Sequence, residues 1–223
     1  MMVQVFEGKD RKRHTDLFEK IFRARYETFV VNRCWSLPAR NGLEIDQYDT
    51  DQAVYFVDFD DGGHLQGAVR LTPTVSASLT ADYYPHLSDG GTALRDPFVY
   101  EGTRYIASPR EKTPANNRAV KARILGAMTE WAWTFGIRHI QTVIDAPLLR
   151  SFQKVNSQTF ALGSAHPYGG GKGVPGGGTC LAIRLPVTER AIGEIRNYGA
   201  LDASPAPEPY SYQFTAQPLR DVA

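Results

Sequence analysis

The chain has 223 residues, enough for one domain with a substantial core and short for two. Twenty-five Lys and Arg against 24 Asp and Glu leave a net charge of +1, which argues against a general nucleic-acid binder, and no apolar run reaches the roughly 18 residues of a membrane span. Two cysteines, Cys34 and Cys180, form no disulfide framework, and the five scattered histidines show no metal-ligand spacing. Residues 1–12 hold no apolar signal segment. A soluble, cytoplasmic protein in a reducing compartment, with no metal and no membrane insertion, is the expectation.

A short strand over 3–6 comes first, then an amphipathic helix over 16–32 with Phe18, Ile21, Phe22, Tyr26 and Phe29 at helical spacing. Arg25 falls inside that apolar stripe. A buried guanidinium is costly unless paired, so three readings stand open: an internal salt bridge, a stem that snorkels outward, or an anionic ligand. Trp35, Pro38 and an Asn41-Gly42 turn follow, then an acidic loop with Glu44, Asp46, Asp49 and Asp51. Asp46 and Asp49, at the entrance to a strand, are either a solvated turn or two carboxylates facing one cation.

Three β-rich segments follow, 53–59, 65–73 and 98–107, the first two joined by an Asp60-Asp61-Gly62-Gly63 hairpin turn. Arg70 projects from the strand face opposite Leu65, Val69 and Leu71, which by itself makes it a solvent-facing arginine. Glu101 and Arg104 interrupt an apolar strand. Alternation puts them on opposite faces, whereas a β-bulge at Gly102 would bring them together as an ion pair or a ligand site. A second helix starts near Pro114, carries Val120, Ile124, Met128, Trp131 and Phe135 on one face, and stops at Gly136. A strand over 139–145, a short helix over 147–158 and a last strand over 179–186 complete the order. Such an order implies an α/β (α+β) fold, one domain over 1–203 with a mixed β-sheet flanked by helices, and a Pro-rich irregular tail over 204–223 draped on the surface.

The 169–178 stretch, GGGKGVPGGG, is not a phosphate-binding loop. Gly173 follows Lys172 where Ser or Thr is required, His166 holds the first-glycine position, and a strand rather than a helix comes next. A flexible loop or a mobile lid over a cleft remains.

Arg25, Phe29, Trp35, Asp46 and Asp49 are spaced R-x3-F-x5-W-x10-D-x2-D; Arg70 and an E-x-[ST]-R run at Glu101 to Arg104 follow. This pattern resembles that of the acyl-homoserine-lactone synthases, the LuxI-type autoinducer synthases, over about residues 18–184. A long glycine loop and Gly102 as filler depart from it and bear on acyl specificity. The resemblance implies a fold similar to GNAT-type N-acetyltransferases, with an acyl donor in the cleft of a splayed sheet. It also implies a reaction: the amine of S-adenosylmethionine attacks an acyl thioester, on acyl carrier protein or coenzyme A, and the methionyl carboxylate then displaces methylthioadenosine to close a lactone, a quorum-sensing signal. No [QR]-x-x-G-x-[GA] motif lies in 116–126, which counts against an ordinary acetyltransferase.

Carried over residue by residue, the resemblance implies that Arg25, Phe29, Trp35, Asp46, Asp49, Arg70 and Arg104 bind S-adenosylmethionine. The chemistry suits them: guanidiniums for its carboxylate, aromatic faces and carboxylates for its sulfonium. Glu101, Arg104 and Asp46 are the catalytic candidates. Glu101, directly or through a water, is the candidate base, with burial expected to raise its pKa and Arg104 to oppose the rise. Thr103, Thr142, Met128 and Trp131 are expected near the acyl chain, although a packed core explains Met128 and Trp131 equally well. Arg110, Lys112, Arg118, Lys121, Arg150 and Lys154 are candidates for docking an acidic carrier. No cofactor is implied, and the oligomeric state stays open. Two alternatives remain: another GNAT-like acyltransferase using acyl-CoA, and a non-catalytic relative that binds S-adenosylmethionine or an acyl carrier.

Overall fold

The computed structural model describes residues 2–90, 92–171 and 173–210. Strand β1 (Gln4–Glu7) leads into helix α1 (Thr15–Arg25), which continues through Asn32 in wider π-type turns. The small ribbon β2 (Ala39–Arg40) and β3 (Leu43–Glu44) turns at Asn41 and Gly42, both left-handed with φ of 54° and 74°, as an Asn-Gly pair favours. Then come β4 (Val54–Phe59), β5 (Leu65–Pro73), a short α2 (Leu79–Tyr83), β6 (Val99–Ala107) and the long α3 (Pro114–Thr134). The chain continues through β7 (His139–Asp145), α4 (Leu149–Gln153), β8 (Phe160–Ala161), β9 (His166–Tyr168), β10 (Gly178–Pro186) and α5 (Glu189–Gly199).

One eight-stranded sheet runs β1-β4-β5-β6-β7-β10-β8, with β9 also on β10. Among the described residues only β6 and β7 pair in parallel, and their pairing stops at Glu101 and Gln141 although both strands run on to Ala107 and Asp145. The sheet therefore splays open at its centre.

Strand β4 is buried on both faces, and its alternation sorts two cores. Val54 and Phe56 join the main core beneath α3 and α5, whereas Tyr55 and Val57 pack against Phe18, Ile21 and Phe22 of α1. The α1 stripe thus covers one face of the sheet and α3 the other. Thr113 caps α3 by accepting from the Asn116 N–H, Pro114 occupies its first turn, and Gly136, at φ 69°, ends it. Phe135 lies past the last turn, about half exposed, with its ring against Trp131 of the apolar face at 4.7 Å.

The C-terminal third departs from the sequence expectation. The helix placed at 147–158 shrinks to α4, and α5 was not anticipated, although Thr188 caps it through the Ala191 N–H at 3.0 Å and Ala191, Ile192 and Ile195 face the core. The tail is irregular through Tyr210 but is not merely draped. Pro205 accepts from the Val3 N–H at 2.8 Å, Pro205 and Ala206 are buried, and the Ser204 hydroxyl bonds Glu130 of α3. Residues 211–223, with Pro218, and Lys172 of the glycine loop lie outside the described residues. Among the described residues no helix is long and apolar enough to cross a membrane.

Candidate active site

Arg25 closes α1 on the face that packs against the sheet, and three carboxylates from the loop after it fold back onto its guanidinium. Nε donates to Glu44 at 2.6 Å, and Nη1 and Nη2 donate to the two oxygens of Asp49 at 2.7 and 3.0 Å. Arg70 is not solvent-facing: it is 1% exposed, and its Nη1 donates to Asp46 at 2.6 Å and to Asp49 at 2.7 Å. Arg104 completes the set with Glu44 at 2.9 Å and Asp46 at 2.9 Å. Three guanidiniums and three carboxylates leave no net charge, the condition under which so many ions can be buried. Burial opposes ionisation of Asp49, but Arg70 and Arg25 prevail and hold its carboxyl well below the usual carboxylate range. The Tyr55 hydroxyl donates to the same carboxylate at 2.7 Å.

Of the readings of Arg25, the internal salt bridge is the one present in the structure, where it braces Glu44 and Asp49. Three of its five N–H groups are engaged by Glu44 and Asp49, and it does not line the cavity described below. Asp46, Asp49 and Arg70 also stand behind the cavity wall. Glu44 is the member of this set that the sequence reading left in the acidic loop. Its sign was available: it follows the Asn-Gly turn by two residues, in a strand that can only fold back.

Beyond the last β6–β7 pair the two strands enclose a cavity of about 470 Å3, lined by Gly102 to Tyr105 on one side and Thr142 to Asp145 on the other. Phe29 and Trp35, stacked at 5.3 Å, form another wall, with Arg104 over the Phe29 ring. Thr103, which accepts from Arg70 Nε at 3.1 Å, and Arg104 belong to both the charged box and the cavity. The strand is bulged, but at Arg104 instead of Gly102. Arg104 and Tyr105 oppose the single residue Val69, and Arg104 takes a left-handed φ of 57°.

Glu101 therefore does not pair with Arg104. It is fully buried and, like Asp46, Asp49 and Arg70, is not itself part of the cavity lining, which begins at its neighbour Gly102; its Oε1 accepts from the Thr80 N–H at 2.9 Å and the Thr80 hydroxyl at 2.5 Å, and its Oε2 has no hydrogen-bond partner. Burial pushes its pKa up, and the Ser78 and Thr80 hydroxyls pull it back.

Met128 and Trp131 do not reach the cavity. They sit in the main core, Trp131 edge-on to Phe56 and Tyr100, because the α3 face that carries them packs against the closed part of the sheet. Lys121 departs in the other direction. It is no surface cation: it lines the cavity over the Phe152 ring, donates to the Ser151 hydroxyl at 2.7 Å, and burial pushes its pKa down to about 8. Arg110, Lys112, Arg118, Arg150 and Lys154 are exposed, Arg110 beside Asp60. The sequence reading also missed a tie across the cavity, where Arg33 and the Tyr168 hydroxyl both hold Asp145 at the end of β7. Part of the glycine loop, Gly169 and Gly176, lines the same space.

Comparison with known proteins agrees with this architecture. A family model described as autoinducer synthase matches residues 9–189. The isovaleryl-homoserine lactone synthase of Bradyrhizobium diazoefficiens is 27% identical over 163 residues, 73% of this chain and 72% of that protein. The structure of a CoA-dependent acyl-homoserine lactone synthase, MesI, superposes with a TM-score of 0.78 at 27% identity, covering 92% of this chain and 99% of that one. A putative N-acetyltransferase from Lactobacillus plantarum shares the fold at 14% identity, with a TM-score of 0.55 over 84% of this chain and all of its own. The chain thus belongs to the autoinducer synthase family, and it is an acyltransferase of the acyl-homoserine-lactone synthase class.

Proposed function

We propose that the enzyme binds S-adenosylmethionine against Phe29, Trp35 and Arg104 and an acyl thioester in the cleft between β6 and β7, with coenzyme A as the donor's carrier. The observation that carries this reading is the contact of two environments that the two substrates need: a rigid charged box, and a largely apolar cavity that shares Thr103 and Arg104 with it. Likeness to the CoA-dependent synthase MesI favours coenzyme A over a carrier protein.

In this reading the Arg104 guanidinium steers the substrate carboxylate, and the stacked rings of Phe29 and Trp35 face the sulfonium. Glu101, buried behind the cavity wall next to Gly102, takes a proton from the ammonium through water, and the freed amine attacks the thioester carbonyl. The N–C bond forms, the C–S bond breaks, and the thiolate takes the second proton that the attacking nitrogen gives up on becoming an amide and leaves as thiol. Backbone N–H groups on the cleft edge of β6 stabilise the oxyanion. The carboxylate oxygen then displaces neutral methylthioadenosine from the γ-carbon to close the lactone. Both new bonds use substrate atoms, so the reaction as proposed needs neither a protein nucleophile nor a cofactor.

The test is to incubate the protein with S-adenosylmethionine and matched sets of acyl-CoA and acyl carrier protein thioesters, and to measure methylthioadenosine and lactone together. Lactone formed with acyl-CoA in preference to the carrier protein is expected. Acyl transfer to another amine without S-adenosylmethionine would replace this reading with that of a general acyltransferase. Ligand-dependent thermal stabilisation without turnover would leave a binding protein.

A further inference from the structure

Helix α2 sits beside the start of the cleft: Leu79 at its first position and Tyr84 just past its end line the cavity. Between them Thr80, itself fully buried, directs both its N–H and its hydroxyl at Glu101 Oε1. The two oxygens of Glu101 are thereby made unequal: Oε1 accepts two bonds and Oε2 accepts none. An isolated carboxylate buried this deeply would hold its proton and be useless as a base at neutral pH.

The other groups around Glu101 leave that task to α2. Its cross-strand neighbours Thr72 and Gln141 carry no charge. Arg70 and Arg104 on β5 and β6 are engaged by Glu44, Asp46 and Asp49. Asp82 on α2 itself works against the charged form and is in turn occupied by the Tyr48 hydroxyl and Arg95. Ser78 favours the charged form without a bond of hydrogen-bonding geometry to Oε2.

We propose that Thr80 is a positioning residue for the base: it holds Oε1 and keeps the buried carboxylate charged, and it leaves Oε2 to receive the proton of the substrate amine. This rests on the reading of Glu101 as the base. Hydrogen bonds from Thr80 favour the carboxylate form, so removing the hydroxyl raises the pKa of Glu101, and the pH below which the enzyme loses activity moves up.

The experiment compares the pH profile of kcat/KM for S-adenosylmethionine, followed by methylthioadenosine release, in the wild type, Thr80→Val, Thr80→Ser and Glu101→Gln. Groups on the substrate are common to all four, so a moving limb belongs to the enzyme. Thr80→Val is expected to shift the acid limb upward by about one pH unit, with about tenfold lower activity below it and recovery above it. Thr80→Ser, which keeps the hydroxyl, leaves the limb in place. Thr80→Ala carries the same expectation as Thr80→Val should the β-branched variant fail to fold. An unmoved limb, or an equal loss at every pH, overturns the role of Thr80 while Glu101→Gln remains inactive. Full activity in Glu101→Gln overturns the base itself, and the role of Thr80 with it.

Discussion

The guanidinium of Arg25 and the carboxylate of Asp49 meet face to face through two parallel bonds of 2.7 and 3.0 Å, and each side chain is 1% exposed. The pair joins the end of α1 to the loop before β4, the two segments that carry Phe29 and Asp46. Rigidity of the aromatic wall and of the acidic loop therefore has one common origin. Arg25 holds in place the segments that carry the residues in front of it.

Arg25→Met removes one partner of a buried set and leaves Asp49 and Glu44 short of a cation. A loss of about 3–5 kcal/mol in stability follows, measured as the shift of the urea midpoint at constant slope. The sign with pH is set by Asp49, whose carboxyl is depressed in the folded state. Its contribution is complete above the unfolded value, about 3.9, and is lost as the pH falls towards the depressed folded value. The wild type should lose stability between pH 4 and more acid conditions faster than Arg25→Met does. Parallel curves for the two proteins would reject the pair as the source.

Lys121 titrates in the opposite sense. Burial lowers it to about 8, whereas an unfolded lysine titrates near 10.4, so between those values the unfolded chain holds more protons than the folded one. Stability arising from this group rises with pH across that window. Compared with Lys121→Met, the wild type should gain stability as the pH goes from 8 to about 10, other groups cancelling. A pH-independent difference between the two urea midpoints would contradict the buried, carboxylate-free setting of this lysine.

Apart from the β2–β3 ribbon and α2, which were not expected, the main elements through β7 were legible because hydrophobic periodicity and turn residues act locally: Asn41-Gly42, the 60–63 hairpin, Pro114 and Gly136 each mark an end by their own backbone preferences. The charged box was legible as spacing but not as geometry. Arg70 looked exposed because alternation gives the face of a strand and not what covers it, and here the 44–49 loop does. Likewise the bulge was placed at Gly102 by glycine preference, whereas Arg104 bears the left-handed strain because its guanidinium is held by Glu44 and Asp46. Met128 and Trp131 share a helix face with core residues, and helical phase alone does not tell where along that face the sheet opens.

Gly176 is the point where the glycine loop touches the N-terminal segment. It has a φ of 76°, and a Cβ there would lie 2.4 Å from the Cys34 carbonyl oxygen. Gly176→Ala should push the loop off Cys34 and Trp35, at a cost of about 1–3 kcal/mol. Faster proteolytic cleavage within the loop and altered tryptophan emission are the measurements. An alanine variant with wild-type emission and cleavage would mean that this contact does not hold the loop.

Val143 belongs to the cavity and Met128 to the core. Val143 lies on β7 beyond the last pair with β6 and lines the cavity, while Met128 is 2% exposed beneath the closed sheet. Val143→Phe adds bulk to the space itself and should shorten the longest acyl chain the enzyme accepts, with little change in stability. Met128→Ala opens a void in the core; it should cost about 2–5 kcal/mol and leave the chain-length profile unchanged. Mass spectrometry of the lactones formed from a graded acyl-CoA series, beside urea denaturation, distinguishes the two. A shifted profile in Met128→Ala, or an unshifted one in Val143→Phe, would place the acyl chain somewhere other than the cleft between β6 and β7.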